Sequence, residues 1–164
     1  MRNLLASVLL IAALAPAAAE DYRLGDIAIV HPWARATPKG ASVAAGYIDA
    51  LRNDGAEDML IGVSAEIAAS ASVHEMKMDN GVMQMRALPA LTIPAKATVA
   101  LAPSGVHVMF EGLKAPLKVG DRIAATLSFA HAGDIRVEFL VQPIGAKTSG
   151  AAGAMDAMPG LDTN

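Results

Sequence analysis

The sequence predicts an all-β domain, two antiparallel sheets packed as a sandwich or Greek-key barrel, on three observations. Short runs separated by Gly, Pro, Asn and Asp recur along the chain, the signature of many short strands. The last two runs alternate cleanly: Ile123, Ala125, Leu127 and Phe129 share one face, as do Ile135, Val137, Phe139 and Val141. That is a closing hairpin with one buried side. Asn80-Gly81, between two further runs, is a strong signal for a two-residue type I′ hairpin turn. Two amphipathic sheets bury one core by packing face to face, and 164 residues make one domain the default.

The elements follow in chain order. Residues 1–19 read as a cleaved signal peptide rather than as fold. Arg2 supplies a positive charge, residues 4–14 are apolar, Pro16 breaks the run, and Ala17-Ala18-Ala19 precede Glu20. The apolar run is too short to span a bilayer, so no stable membrane insertion is expected; a cleaved secretory peptide implies an extracytoplasmic compartment, with the periplasm expected. Strands are expected at residues 26–30, 44–52, 59–65, 70–78, 82–88, 98–101, 106–110, 121–129 and 135–141. Asn53-Asp54-Gly55, Asp79-Asn80-Gly81, Pro94, Pro103-Ser104-Gly105, Val119-Gly120-Asp121 and Ala132-Gly133-Asp134 punctuate them. The alanines at 65, 68, 69 and 71 leave room for one short helix or turn over residues 65–70. From Gly145 the sequence turns to Ala, Gly, Ser and Thr without periodicity, so residues 20–144 are expected to form the domain and 145–164 a flexible tail.

Composition removes several function classes. A formal net charge of −3 with no basic run argues against nucleic acid. The absence of Cys excludes disulfides, thiolate nucleophiles, zinc ribbons and iron–sulfur clusters. It also excludes a blue-copper electron-transfer centre, which needs a Cys thiolate. No Ser-x-x-Lys, Gly-x-Ser-x-Gly or phosphate loop occurs, so the protein is not expected to be an enzyme.

The chemistry lies in His74, Met76, Met78, Met83, Met85, His107 and Met109. With Asn80-Gly81 as the turn, Met78 faces Met83, Met76 faces Met85 and His74 faces Ala87, all on one side of the hairpin. His74 and Met85 become diagonal neighbours within side-chain reach. His107 and Met109 share a face of another strand, and one further strand adjacency would unite the two sets. Imidazole and thioether are neutral, soft-to-borderline donors that select Cu(I), whereas zinc and calcium prefer thiolate, carboxylate and other oxygen ligands. Methionines in strands ordinarily fill core gaps, but a core does not require His at both ends of a Met-lined face. A metal-free structural sandwich and a copper-sequestering resistance protein therefore stand beside a copper carrier at this point. The resistance protein would favour more His or carboxylate ligands and an amino-terminal His, where the mature chain would begin Glu20-Asp21.

The spacing His74, ten residues, Met85, twenty-one residues, His107, one residue, Met109 resembles the H-x10-M-x21-H-x-M signature of the periplasmic copper chaperone PCu(A)C family. Val73-His74-Glu75-Met76, the run 81–86, Ile93-Pro94-Ala95, Gly112-Leu113 and the run 116–121 agree with that family. So do the run 32–38 and Ala44-Ala45-Gly46-Tyr47. The resemblance covers residues 27–141 and implies a cupredoxin-like Greek-key β-barrel holding one Cu(I) through His74, Met85, His107 and Met109. It further implies delivery toward the CuA subunit of cytochrome c oxidase, alongside a Sco-type thiol protein. A monomer is expected. Met155 and Met158 are the only soft donors in the tail, which makes a second site there doubtful. Glu75 and Arg86 are expected to pair on the hairpin's other face, Trp33 to anchor the barrel, and His31 and His131 to be exposed.

Overall fold

A computed structural model describes residues 20–150; the expected signal peptide, Met155 and Met158 lie outside the described residues. Among the described residues eleven strands are seen: β1 (Tyr22–Leu24), β2 (Ile27–Arg35), β3 (Val43–Asn53), β4 (Asp58–Ala65), β5 (Ser70–Asp79) and β6 (Val82–Leu88). They continue with β7 (Leu91–Ile93), β8 (Thr98–Leu101), β9 (Val106–Glu111), β10 (Arg122–Phe129) and β11 (Gly133–Gln142). The expected all-β class holds, with β1 and β7 as unanticipated short edge pieces and a turn, not a helix, between β4 and β5. Among the described residues no helix is long and apolar enough to cross a membrane.

The ladder runs β6-β5-β9-β3-β2-β11-β10-β4-β7, with β1 added to β2 and β8 to β3. Every pairing is antiparallel except β2 with β11 (Leu140 opposite Trp33, Val141 opposite Ala34). No hairpin joins those two strands, which lie at opposite ends of the chain, so nothing forces them antiparallel. This corrects the expectation of purely antiparallel sheets.

Alternation places the core. Ile123, Ala125, Leu127 and Phe129 of β10 are buried, and so are Val137, Phe139 and Val141 of β11, while Ile135 is half-buried. Phe110 and Phe139 meet edge to face at 5.6 Å and 86°, the geometry that ring quadrupoles favour. Gly46 of β3 makes room for them, since a Cβ there would lie 2.8 Å from Phe110 Cε2. Strand β3 is central for the site: residues 43–46 pair with β9, whereas Ile48, Leu51 and Arg52 pair with β8.

Two local features differ from expectation. His31 is not simply exposed: it has φ 45°, and its ring lies 3.4 Å from Asp49 and 3.5 Å from Asp21. The start of the expected flexible tail is held on the domain. Arg35 Nε donates to the Ala146 carbonyl at 2.8 Å, Gln142 Nε2 to the Ser149 carbonyl at 2.7 Å, and Ser149 Oγ to Asp49 at 2.6 Å. Ser149 is 2% exposed. Low-complexity composition concealed these specific polar contacts.

Asp58 fixes the far end of the barrel. Its buried carboxylate accepts the backbone N–H groups of Met59 (2.7 Å), His131 (2.9 Å) and Ala132 (2.9 Å). Burial pushes its pKa up, but these N–H groups outweigh it and hold the carboxyl below its ordinary 3.8. The unfolded chain therefore takes up this proton first on acidification. The stability that Asp58 contributes is complete above pH 3.8 and is lost as pH falls through the folded value. Asp58→Ala is expected to cost about 2–4 kcal/mol at neutral pH by leaving those donors unsatisfied. Asp58→Asn should flatten the acid limb below about pH 4. Urea unfolding at neutral pH and at pH 3 checks both; an unchanged acid limb in Asp58→Asn would remove Asp58 from this role.

Candidate metal centre

The turn at Asn80-Gly81, with φ 48° and 80°, is the type I′ geometry that fixes the β5–β6 register. Met78 lies opposite Met83, Met76 opposite Met85 and His74 opposite Ala87, as the sequence predicts. Arg86 and Glu75 pair on the other face at 3.4 Å. Because both groups are solvent-exposed, the pair contributes little.

Strand β9 lies on the other side of β5 and supplies the adjacency that the sequence left open. His107 stands directly opposite His74, and Met109 opposite Ser72. The two imidazole centroids are 6.2 Å apart with planes inclined at 36°. His74 is half-buried and His107 is 4% exposed. Met109 is half-buried on the same strand face as His107, and Met85 is half-exposed on the same hairpin face as His74. The fold thus unites the two imidazoles, while the two thioethers occupy diagonal positions on either side of His74.

Hydrogen bonds determine which ring nitrogens remain free. His74 Nε2 is 2.9 Å from Ser72 Oγ, whereas His74 Nδ1 is buried without a partner. His107 Nδ1 is 3.1 Å from the Gly105 carbonyl, and a carbonyl can only accept. His107 Nδ1 therefore carries the hydrogen, and Nε2 keeps a lone pair. An orphaned buried ring nitrogen is costly. A soft cation between the rings would remove that cost, because each nitrogen would sit about 2 Å from a closed-shell ion and the centroids roughly 5–6 Å apart.

Tyr47 closes the inner side. It is buried 6.4 Å from His107 and stacks on Trp33 at 4.5 Å, with the Arg35 guanidinium 5.3 Å from its ring centroid. Burial raises the Tyr47 phenol pKa, opposed by Arg35, so the ring stays neutral. Trp33 Nε1 donates to Asp49 at 3.0 Å. Among the described residues no three His, Cys, Asp or Glu groups come together as a metal site; the donors at hand are imidazole and thioether. Ser72, Gly105 and Tyr47 had no assigned role in the sequence reading. Ser72 lies two residues before His74 on the same face of β5, so strand alternation could have revealed it, whereas Gly105 acts through its backbone carbonyl just before β9 and alternation gives no sign of it.

The chain is similar to known proteins in sequence and in fold. A family profile described as "Putative lipoprotein LpqE-like" matches residues 27–141. "Putative lipoprotein Lxx21020" of Leifsonia xyli subsp. xyli is 34% identical over 105 residues, 63% of this chain and 62% of that relative. The chain thus spans about three fifths of that relative's length. The copper-bound PCuAC domain from PmoF2 is 29% identical with a TM-score of 0.66, covering 76% of this chain and 98% of that domain. The Cu(I) form of DR1885 from Deinococcus radiodurans is 30% identical with a TM-score of 0.57, covering 73% of this chain and 80% of that one.

Proposed function

The chain belongs to the LpqE-like family, with PCuAC domains as its structural neighbours, and from that premise we propose that it is a periplasmic copper carrier. It holds one Cu(I) through His74, Met85, His107 and Met109 and passes it toward the CuA subunit of cytochrome c oxidase or a Sco-type thiol protein. The observation carrying this reading is the opposition of His74 and His107 across β5 and β9, with the buried Nδ1 of His74 left without a hydrogen-bond partner. The copper-bound and Cu(I) states of the neighbouring structures support the same ion. Periplasmic residence rests on the expected signal peptide and agrees with the lipoprotein description of the relative.

The chemistry is transfer rather than turnover. Four neutral donors satisfy the soft ion without cancelling its charge, so a partner offering thiolates can take it by stepwise exchange. The histidines are anchors held by Ser72 and Gly105. Met85 and Met109 are the exchangeable ligands, and Met85 is the accessible one, at 50% exposure. Both histidines must be deprotonated at the ligating nitrogen, so retention weakens on acidification.

Anaerobic titration with Cu(I) against a calibrated chelator, with X-ray absorption to count neighbours, tests the reading. The first ion bound is expected to have about two nitrogen and two sulfur neighbours; a shell without nitrogen would overturn it. Met85→Leu and Met109→Leu are each expected to fold normally and to release copper about tenfold faster to a thiol acceptor, a difference of about 1.4 kcal/mol. Release at the parent rate would remove the exchange role from that methionine.

A further inference from the structure

The outer half of the β5–β6 hairpin presents an unusual surface. Met76 and Met78 face Met85 and Met83 in two directly opposed pairs, and Met78, Met83 and Met85 are 60%, 49% and 50% exposed. Val82 at the turn is 60% exposed as well. The opposite face carries Glu75, Lys77, Asp79, Gln84 and Arg86, which line a shallow groove, so the hairpin is wet on both sides. Methionine earns its place in strands by filling core gaps, but these side chains fill none. β6 also ends the ladder, a position where exposed apolar strands are an association hazard.

What the four methionines share is a soft donor atom. Opposed residues in an antiparallel pair have Cβ atoms about 5 Å apart, within reach of one ion for two flexible thioether side chains. Met76 is the next residue on the same face of β5. We infer that Met76, Met78 and Met83 form a second, all-thioether Cu(I) site at the hairpin tip, loaded after the His74–His107 centre. The inference rests on the proposed Cu(I) chemistry of the first centre and extends it. Three neutral sulfur donors suit a d¹⁰ ion that tolerates low coordination, and they lack the anionic or oxygen ligands that Zn²⁺ or Ca²⁺ needs. Met85 is shared by position: it directly opposes Met76 and is diagonal to His74, both on β5. The two centres are therefore contiguous along one face, and an ion arriving at the tip meets soft donors along its course to the imidazoles.

The test is Cu(I) stoichiometry by anaerobic chelator competition on the full chain, comparing the parent protein with the Met78→Leu/Met83→Leu variant. Leucine keeps the apolar volume and removes the sulfur. The parent is expected to bind two ions, the second at least about tenfold more weakly because it lacks imidazole. The variant should bind one, with the first affinity changed less than about twofold because neither residue belongs to that centre. X-ray absorption of the doubly loaded parent should show a higher sulfur-to-nitrogen ratio than the singly loaded form. Saturation of the parent at one ion, or a second ion that persists in the variant (as Met155 or Met158 would give), overturns the second site and leaves the first intact. Failure to bind any Cu(I) overturns both readings.

Discussion

His107→Leu is expected to abolish Cu(I) retention at the His74–His107 centre, with affinity there lowered by well over about a hundredfold, since even loss of a group that merely orients a ligand costs 10–100-fold. His107 is the more enclosed of the two imidazoles, set between His74 and Tyr47, so water cannot easily replace it. Leucine retains the volume beside Tyr47 and supplies no lone pair. The variant should therefore fold, and the metal-free form should be about as stable as the parent or slightly more so, because replacing a buried polar group by an apolar one removes a desolvation cost. Chelator competition and urea unfolding of the same sample separate the two effects. Ser72→Ala tests the positioning of His74: loss of the 2.9 Å contact should weaken copper about tenfold without altering the number of nitrogen neighbours. His131→Ala, in an exposed turn, serves as the control that should leave copper unchanged. A His107→Leu protein that still holds its first Cu(I) at the parent affinity would place the ion elsewhere and overturn the His74–His107 centre.

What could be read from the sequence divides according to the range of the forces involved. The β5–β6 register was legible because Asn80-Gly81 fixes a tight turn, and a fixed turn fixes every opposed pair in the ladder. The β10–β11 hairpin was legible because its apolar residues alternate in step with the pleat. His74 opposite His107 was not derivable in this way. Thirty-three positions separate them, and no short turn sets the pairing of β5 with β9, so spacing gave a set of donors and only a family resemblance joined them. The parallel pairing of β2 with β11 was hidden for the same reason, since it joins the two ends of the described fold. Two further features were concealed by local cues pointing elsewhere. The first long strand is expected over residues 26–30, yet β2 continues to Arg35 through the positive φ at His31. Pro32 remains opposite Ile48, in a strand whose other neighbours carry the ladder. The Ala- and Gly-rich stretch after Pro143 suggested a loose tail, but Ser149 has the hydroxyl that Asp49 accepts and is buried by that contact. Composition averages over a single such residue; geometry does not.

Phe110→Ala is the second large effect, and it tests whether the core and the copper centre can be separated. Phe110 is fully buried, opposes Ala71 on β5 and Ala44 on β3, and meets Phe139 edge to face. It follows Met109 in sequence but points to the opposite side of β9, away from the ligand face. Truncation should cost about 3–5 kcal/mol through lost burial and the cavity left behind, a large share of the roughly 5–15 kcal/mol that holds a domain together. Gly46 lies against the same two rings, so Gly46→Ala approaches this site from the other direction. Its new Cβ would fall 2.8 Å from Phe110 and 3.2 Å from Phe139, and the strain should cost about 1–3 kcal/mol. Cu(I) acts on both variants through linkage: at a hundredfold excess over Kd it adds about 2.7 kcal/mol if it binds only the folded chain. The expected result is a marked fall in the unfolding midpoint of metal-free Phe110→Ala, partial recovery on copper loading, and an unchanged nitrogen and sulfur count in the loaded form. The count matters because His74 and His107 are positioned by the backbone ladder of β5 with β9 and by Ser72 and Gly105, whereas truncation removes only the Phe110 ring, on the opposite face of β9. If the midpoint falls but copper gives no recovery, binding does not discriminate folded from unfolded chain, and a preformed centre between β5 and β9 is untenable.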